Sequence, residues 1–500
     1  MEDSTQPLLL STNPSSATTF VAGADDIAPI TSPRDFFREF SKESKKLWFL
    51  AAPAMFTTLC QYSLGAITQT FAGQLSALDL AAISVENSVI AGFSFGIMLG
   101  MGSALETLTG QAFGAGQVDM LGVYLQRSWV ILCTTASFLC LLYVFATNIL
   151  KAIGQTEAIS TSAGLFALYM IPQLFAYALN FPMAKFLQAQ SKIMVMAVIA
   201  GLALVLHVIF SWLFMLKLGW GMVGAAAVLN AAWWFIDICQ FIYIISGTCG
   251  RAWNGFSMKA FQDLWGFVKL SLASAVMICL EVWYYMALIL FAGYLKNAAI
   301  AVDALSVCMN ILGWTIMASL GMNAAISVRI SNELGAGHPR TAKFSLMVAV
   351  VSSFCIGVLI SAILFFTRNI YPSLFSSNSQ VQDLVNQLTP LLSACIIVNN
   401  VQPVLSGMAI GAGWQAAVAY VNIVCYYVFG IPLGLLLSYK MGLGVKGIWL
   451  GMMSGSAVQT IALTYMIYKT NWNKEASIAE DRIKKWGGQK SYEIVKETIS

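Results

Sequence analysis

Five acidic side chains fall inside long hydrophobic stretches of this chain: Glu86, Glu106, Asp237, Glu281 and Asp303. An acid at the centre of a membrane helix costs roughly 2.5–3.5 kcal/mol on insertion scales, so each needs a partner or a function. Glu281 is the deepest, on the order of 21 Å from one end of its stretch and about 16 Å from the other at 1.5 Å per residue. It stands between Leu280 and Val282-Trp283-Tyr284-Tyr285, a mix of apolar bulk and aromatic rings. Burial penalises the charged carboxylate, so a group in this setting can load and release a proton, or else rest as a neutral acid bonded to a neighbouring helix. Asp303, in the outer third of the next stretch, either shares the same cavity or faces Lys296 and water at the interface. Glu86 and Glu106 are expected in solvated positions near the membrane edges. Asp237 is deeper, and its neighbours in sequence identify no partner.

Around these acids lie groups suited to holding an amphipathic molecule. Trp283, Tyr284, Tyr285, Asn310, Asn399, Asn400, Gln402, Asn422 and Tyr427 place polar atoms and rings at membrane depth. Ligand pockets are mostly apolar with a few placed polar groups, although each residue serves equally well as polar glue between helices. His207 and His338 are isolated, and no C-x-x-C spacing occurs among the ten cysteines, so neither a metal site nor a cofactor is expected.

The elements that must position these residues are membrane helices. Hydrophobic residues make up 58% of the chain and charged residues 10%, with a mean hydropathy of +0.74, against about a quarter charged in soluble domains. Windows of roughly 20 apolar residues mark spans near 47–72, 80–105, 123–149, 160–187, 193–217, 222–246, 267–292, 299–325, 345–366, 386–411, 416–438 and 447–468. With the N-terminus inside, all but Lys151, Lys217, Lys296, Arg368, Lys440 and Lys446 of the 27 basic residues fall in cytoplasmic segments, as the positive-inside rule requires. Both termini are therefore expected to be cytoplasmic. The net charge of +4 belongs to those rims and calls for no nucleic-acid partner.

The chain also repeats itself at an offset of about 221 residues. Gly114-Ala115-Gly116 recurs as Gly335-Ala336-Gly337, and Pro182 as Pro403. Phe71-Ala72-Gly73 matches Phe291-Ala292-Gly293, and Gly219, Gly221 and Gly224 match Gly442, Gly444 and Gly447 within a residue or two. Six spans per half make the repeats parallel, a plan found in secondary transporters with the site between the repeats. The expected divisions are a disordered or peripheral polar tail over 1–45, a bundle over 46–246, a linker over 247–266, a second bundle over 267–470 and a tail over 471–500. Glu281 aligns with Gln61 and Asp303 with Ala82, so these two acids belong to the second half alone. Pro182 and Pro403 remove a backbone donor inside a span, predicting a kink or local unwinding, and Gly407, Gly411 and Gly413 point to mobility in span ten. The Gly-Ala-Gly loops lack the GxxxxGK[ST] pattern of a phosphate cradle, and their glycines are expected to end one helix and turn the chain. Glu2-Asp3-Ser4-Thr5-Gln6-Pro7-Leu8-Leu9 matches an acidic di-leucine sorting pattern.

Taken jointly, Leu280-Glu281-Val282-Trp283-Tyr284, Gly110-Gln111-Ala112-Phe113-Gly114-Ala115-Gly116 and Ser331-Asn332-Glu333-Leu334-Gly335-Ala336-Gly337 resemble those of plant MATE (multidrug and toxic compound extrusion) transporters. The likeness is to the DETOXIFICATION, transparent-testa-like branch and runs from about Lys45 through Asn471-Trp472-Asn473-Lys474 to Lys484-Lys485-Trp486. It implies an all-α integral membrane protein of twelve transmembrane helices in two pseudo-symmetric six-helix bundles. It also implies rocker-switch proton antiport, with Glu281 as the coupling carboxylate and protons in place of any bound cofactor. Many bacterial relatives use an acid in the first span; span one here has none. The branch implies flavonoids, alkaloids or xenobiotics as substrates and a vacuolar or plasma membrane as the site of a monomer whose other partner is the bilayer. An organic-anion exporter of the citrate type, a lipid-linked flippase, a channel and an intramembrane enzyme are the competing readings. The enzyme would need an acid cluster or a nucleophile with its base, which the sequence does not offer.

Overall fold

A computed structural model of the protein describes residues 25–262, 264–292, 298–376 and 378–486. Twelve long helical segments follow one another: α1 Pro33–Ala72, α2 Ala77–Gly114, α3 Val118–Val144, α4 Glu157–Ala189, α5 Ile193–Lys217, α6 Gly221–Thr248, α7 Leu264–Ala292, α8 Ala298–Gly335, α9 Pro339–Phe366, α10 Ser379–Ala412, α11 Gln415–Lys440 and α12 Val445–Lys469. A thirteenth, α13 Trp472–Lys485, is amphipathic and closes the described chain. Among the described residues there is no strand. Ten of the twelve are long and apolar enough to cross a membrane; α1 and α12 are of spanning length and more polar. The helices overrun the hydropathy spans where α1 begins and α2 and α8 end, because apolarity marks the hydrocarbon whereas a helix stops at its cap. Ser32 accepts from the Asp35 amide and Pro33 occupies the first turn of α1, both favourable at an N-terminus.

One face of the bundle carries the start of α1, the Gly-Ala-Gly loops and α13, and there the two halves are stitched together. The Thr107 hydroxyl donates to Ile410 O at 2.5 Å, Gln111 Nε2 to Gly411 O at 3.0 Å and Asn332 Nδ2 to Ala189 O at 3.2 Å. Arg482 of α13 donates to Gln111 Oε1 at 2.8 Å and to Ala412 O at 3.3 Å, joining both halves through one guanidinium. Further from that face the halves meet through rings, Phe93 stacked on Trp283 with centroids 5.4 Å apart and Tyr62 edge-on to Trp314 at 5.2 Å.

The repeated glycines divide their work in a way the sequence did not disclose. Gly116 and Gly337 have φ of +73° and +77° and open space around them, so they make the turns. Gly110, Gly114 and Gly335 sit where α2 crosses α8: a Cβ there would run into Ser331 Oγ, Asn332 O and Gln111 O respectively. Gly407 and Gly411 likewise face the Asn323 and Ser327 carbonyls of α8, so their smallness lets α10 pack closely on α8. Gly413, at φ +85°, is the left-handed cap of α10.

Two other expectations change. Pro182 and Pro403 lie within uninterrupted α-helix, so the chain does not unwind there; near them Trp129 Nε1 donates to Leu179 O at 3.1 Å and Asn323 Nδ2 to the Pro403 carbonyl at 2.6 Å. Part of the expected polar tail is helical, since α1 begins at Pro33. Asp26 reaches across to the second half and accepts from the amides of Arg340 at 3.2 Å and Thr341 at 2.8 Å, and from Arg340 Nε at 3.1 Å. A carboxylate there satisfies open amides in the first turn of α9. The linker docks on α3 through Gln126 and Arg127. Asp263, Lys296, Gly293 and the Glu2 to Leu9 pattern lie outside the described residues.

Behind the stitched face, Arg329 of α8 is buried between two carboxylates, Glu43 of α1 and Glu333 of α8, each at 2.8 Å. His338 Nδ1 lies 2.8 Å from Glu333, and Ser345 donates to Glu43 at 2.5 Å. Removing one member of such a network strands buried charge at a cost of about 3–5 kcal/mol. Arg329→Ala is therefore expected to lower the thermal unfolding midpoint of the detergent-solubilised protein far more than Lys42→Ala, whose exposed ion pair contributes about 1 kcal/mol or less. Equal shifts would reject the network. Asp26 generates a pH prediction. Burial pushes its carboxyl up, but the bonds from Thr341 and Arg340 outweigh this and hold it below its ordinary value. Its contribution is thus complete above the unfolded Asp pKa of roughly 3.9 and lost as pH falls through the lower folded value. Asp26→Asn should flatten that acid limb of the stability profile, so that the variant's stability falls less steeply on acidification than the native protein's; an unchanged limb sinks the assignment.

Candidate functional site

Glu281 sits in the middle of α7, partly buried, with its carboxylate accepting a hydrogen bond from the Gln402 side chain of α10. Gln402 Nε2 also donates to Ser406 Oγ at 3.0 Å, one turn on. A turn further along α7 from Glu281, the Tyr285 hydroxyl donates to Asn399 Oδ1 at 2.6 Å and lies 3.3 Å from Ser456 Oγ of α12. Asn399 Nδ2 is spent on Cys395 O of its own helix at 2.9 Å. From α11, Tyr427 donates to Leu280 O at 3.0 Å and Asn422 Nδ2 to Met277 O at 3.0 Å, while Gln459 of α12 donates to Asn422 Oδ1 at 3.0 Å. Three helices of the second half, α10, α11 and α12, thus converge on the stretch of α7 that carries Glu281. No Lys, Arg or His is paired with Glu281 among the described residues, so its only fixed partner is a neutral amide. Part of α11 around Tyr427, Ile423–Gly430, is π-helical, a form that recurs at functional positions. A carboxyl with a neutral donor, next to a tyrosine and a wider wound helix, is equipped to exchange a proton and to change its hydrogen bonds as it does so.

The structure brings together Glu281, Tyr285, Asn399, Gln402, Asn422 and Tyr427, and leaves others apart. Asp303 is exposed near the start of α8, and the partner of Glu281 is Gln402 and not Asp303. Asn310 is exposed on α8 and Trp283 is half-exposed against Phe93 of the first half. Tyr284 is a correction: it is fully buried, its hydroxyl donates to Gly451 O at 2.9 Å and Met452 O at 3.1 Å, and its ring stacks on Tyr426 at 4.4 Å. It packs helices and has no face left for a ligand. Gln61 is half-buried on α1. Asn400, also singled out from sequence, accepts from Ser319 at 2.9 Å and ties α10 to α8.

The acids of the first half are more enclosed than their sequence positions suggested. Glu106 is buried and paired with Lys185 at 2.7 Å, Asp237 is buried and accepts from Asn180 Nδ2 at 2.8 Å, and Glu86 is buried outright. Counting from helix ends placed Glu86 and Glu106 near water, but α4 packs over α2 and closes it off. Ser406, Ser456 and Gln459 were missed as network members; for Ser406 the four-residue spacing from Gln402 was a usable signal, and for the others there was none. Among the described residues no three His, Cys, Asp or Glu side chains are placed to hold a metal ion.

Two six-helix halves, each burying acidic side chains at membrane depth, define a multi-pass membrane transporter, and the model of the MatE family matches residues 53–213 and again 273–436, so the chain belongs to that family. Within it the chain falls in the plant DETOXIFICATION branch. It is 67% identical to Protein DETOXIFICATION 29 of Arabidopsis thaliana over 490 residues, covering 98% of each chain, and 66% identical to Protein DETOXIFICATION 31 of the same plant, covering 95% of this chain and 91% of that one. The crystal structure of the eukaryotic MATE transporter AtDTX14 superposes with a TM-score of 0.85 at 35% identity, over 89% of this chain and 99% of that one. The bent form of the Vibrio cholerae transporter VcmN, at 18% identity, shares the fold with a TM-score of 0.77. Its relatives are transporters and not enzymes, and it is placed with them.

Tyr284 supplies a packing prediction. Its hydroxyl fills the space left by Gly430 on α11 and Gly455 on α12, where a Cβ would strike it. Gly455→Ala should cost about 1–3 kcal/mol by overpacking, and Tyr284→Phe in the same chain should recover part of that loss. Additive losses in unfolding measurements on the two single variants and the double variant would show that the pair does not touch.

Proposed function

We propose that this chain is a proton-coupled antiporter that exports or sequesters amphipathic organic compounds such as flavonoids, alkaloids or xenobiotics by rocker-switch alternating access. The observation that carries the reading is Glu281, held deep in α7 with a neutral amide, Gln402, as its partner and no cation paired with it among the described residues. In that setting the carboxyl's charge is balanced by nothing but the proton it binds, so protonation must rearrange its bond to Gln402 and, through Tyr285, Asn399 and Ser456, the packing of α10 and α12 on α7. Coupling requires proton and substrate to bind the two conformers with different affinities, because a ligand indifferent between states shifts nothing. Trp283, half-exposed where the halves meet, offers a ring to an aromatic substrate, and Asp303, exposed near the start of α8, is the second acid assigned to coupling. The moving bodies are residues 46–246 and 267–470, joined by 247–266. Both termini are assigned to the cytoplasm and the protein to the vacuolar membrane, with the plasma membrane as the alternative, acting as a monomer with no bound cofactor.

The test is flux of a fluorescent organic cation or a flavonoid into proteoliposomes under an imposed pH gradient. The native protein should show saturable, gradient-dependent flux, and Glu281→Gln should lose it while still binding ligand. Undiminished coupled flux in the variant would move the proton to Asp303 or Asp237. Flux indifferent to pH would remove the proton from the mechanism, and flux of citrate in preference to the cation would replace the substrate class.

A further inference from the structure

The first half contains a carboxyl that the scheme above leaves idle. Glu86 opens the π-helical stretch Glu86–Ala91 of α2 and has no exposed surface. Neither of its oxygens has a hydrogen-bond partner among the described residues, and no cation pairs with it. The titratable groups that face it come from two other helices, Tyr143 of α3 and Tyr177 of α4, both buried and both within electrostatic range of its carboxyl. Cys140 lies one turn before Tyr143 and Ser94 lies beside the Tyr143 hydroxyl. Apart from one another, neither the Tyr143 hydroxyl nor the Ser94 hydroxyl has a partner among the described residues. Asn87 Nδ2, the next residue of the same stretch, is unsatisfied too.

Buried polar atoms are paired as a rule, and a bare carboxylate sealed in protein without a cation or donors is strongly disfavoured. One small addition answers the shortage. A proton on Glu86 removes the charge and turns the carboxyl into a donor, for which the Tyr143 and Ser94 oxygens are the acceptors at hand. The repeat makes the placement more specific. Asp303 aligns with Ala82 at the offset of 221, so Glu86 stands one helical turn along α2 from the counterpart of the acid in α8. The two acids differ in surroundings: Asp303 is exposed and Glu86 is enclosed.

We propose that Glu86, with Tyr143, Tyr177 and Ser94 around it, is a second proton-binding site, carried by the first half. It holds its proton while the halves are stitched at the face of the Gly-Ala-Gly loops, as they are here. It gives that proton to water in the opposite conformer, when the two halves separate at that face and water reaches the first half, leaving the carboxylate hydrated. This rests on the antiport reading for its role in transport, but not for the binding of the proton itself.

Infrared difference spectroscopy on the purified full-length protein separates the two. Glu86→Gln should remove one buried carboxylic C=O band that Glu281→Gln retains, and Tyr143→Phe should shift that band without removing it, which guards against a Glu86 variant that fails to fold. In the native protein the band should weaken when a transported organic cation is added at constant pH. In proteoliposomes Glu86→Gln should lower the number of protons moved per substrate while gradient-driven flux persists. A spectrum unchanged in Glu86→Gln, or a band indifferent to pH and to substrate, overturns the site, whatever Glu281→Gln does to flux. Loss of the band on adding sodium at constant pH overturns it in favour of a metal-cation site. A band that behaves as expected in a protein whose flux ignores the pH gradient keeps the proton site and rejects antiport.

Discussion

The crossing of α2 and α8 is the constraint on which the rest of the molecule depends. Between membrane helices there is little hydrophobic drive, since lipid tails are as apolar as side chains, and association comes from close packing and polar contacts. Gly110 and Gly114 on one helix and Gly335 on the other bring the backbones together until no Cβ fits between them. With the axes so close, short side chains reach the opposite half: Thr107 meets Ile410 O and Gln111 meets Gly411 O. The loops that follow are then held side by side, and α13 lies across them with Arg482 between the halves. Larger residues at the crossing would separate every one of these pairs at once.

Polar groups follow the same logic at greater depth. Each half buries acids, and each acid has a different settlement with its surroundings. Glu43 and Glu333 share Arg329, Glu106 has Lys185, Asp237 has the amide of Asn180, Glu281 has the amide of Gln402, and Glu86 has none among the described residues. Full ion pairs gather near the stitched face, where they hold one conformation. The acids without cations lie deeper, where a change of protonation is the only way to change their charge. A transporter needs both kinds, one to make a state stable and the other to make its stability depend on a ligand.

Much of this was open to a reader of the sequence, for reasons that can be named. A membrane span is a local property, so hydropathy located twelve helices within a few residues of their cores. Duplication leaves landmarks at a fixed offset, and the family model matches the chain at 53–213 and 273–436, starts 220 residues apart. Glu281 stood out because an acid so far from either end of a span has no local explanation. Tyr284 was misjudged because its sequence position, three residues from Glu281, puts it on a neighbouring part of the helix surface, and only α11 and α12 decide that this part is packed with glycines on both sides.

The sequence by itself determined the membrane setting, the two halves, the branch of the family and the depth of Glu281, since these follow from composition, periodicity and motif along a single strand of text. Only the tertiary structure decided which glycines turn the chain and which let helices cross, that Asp26 caps a helix more than 300 residues away, and that Glu86 is enclosed while Asp303 is exposed. Burial and pairing belong to neighbours brought from elsewhere in the chain, and no window of sequence contains them.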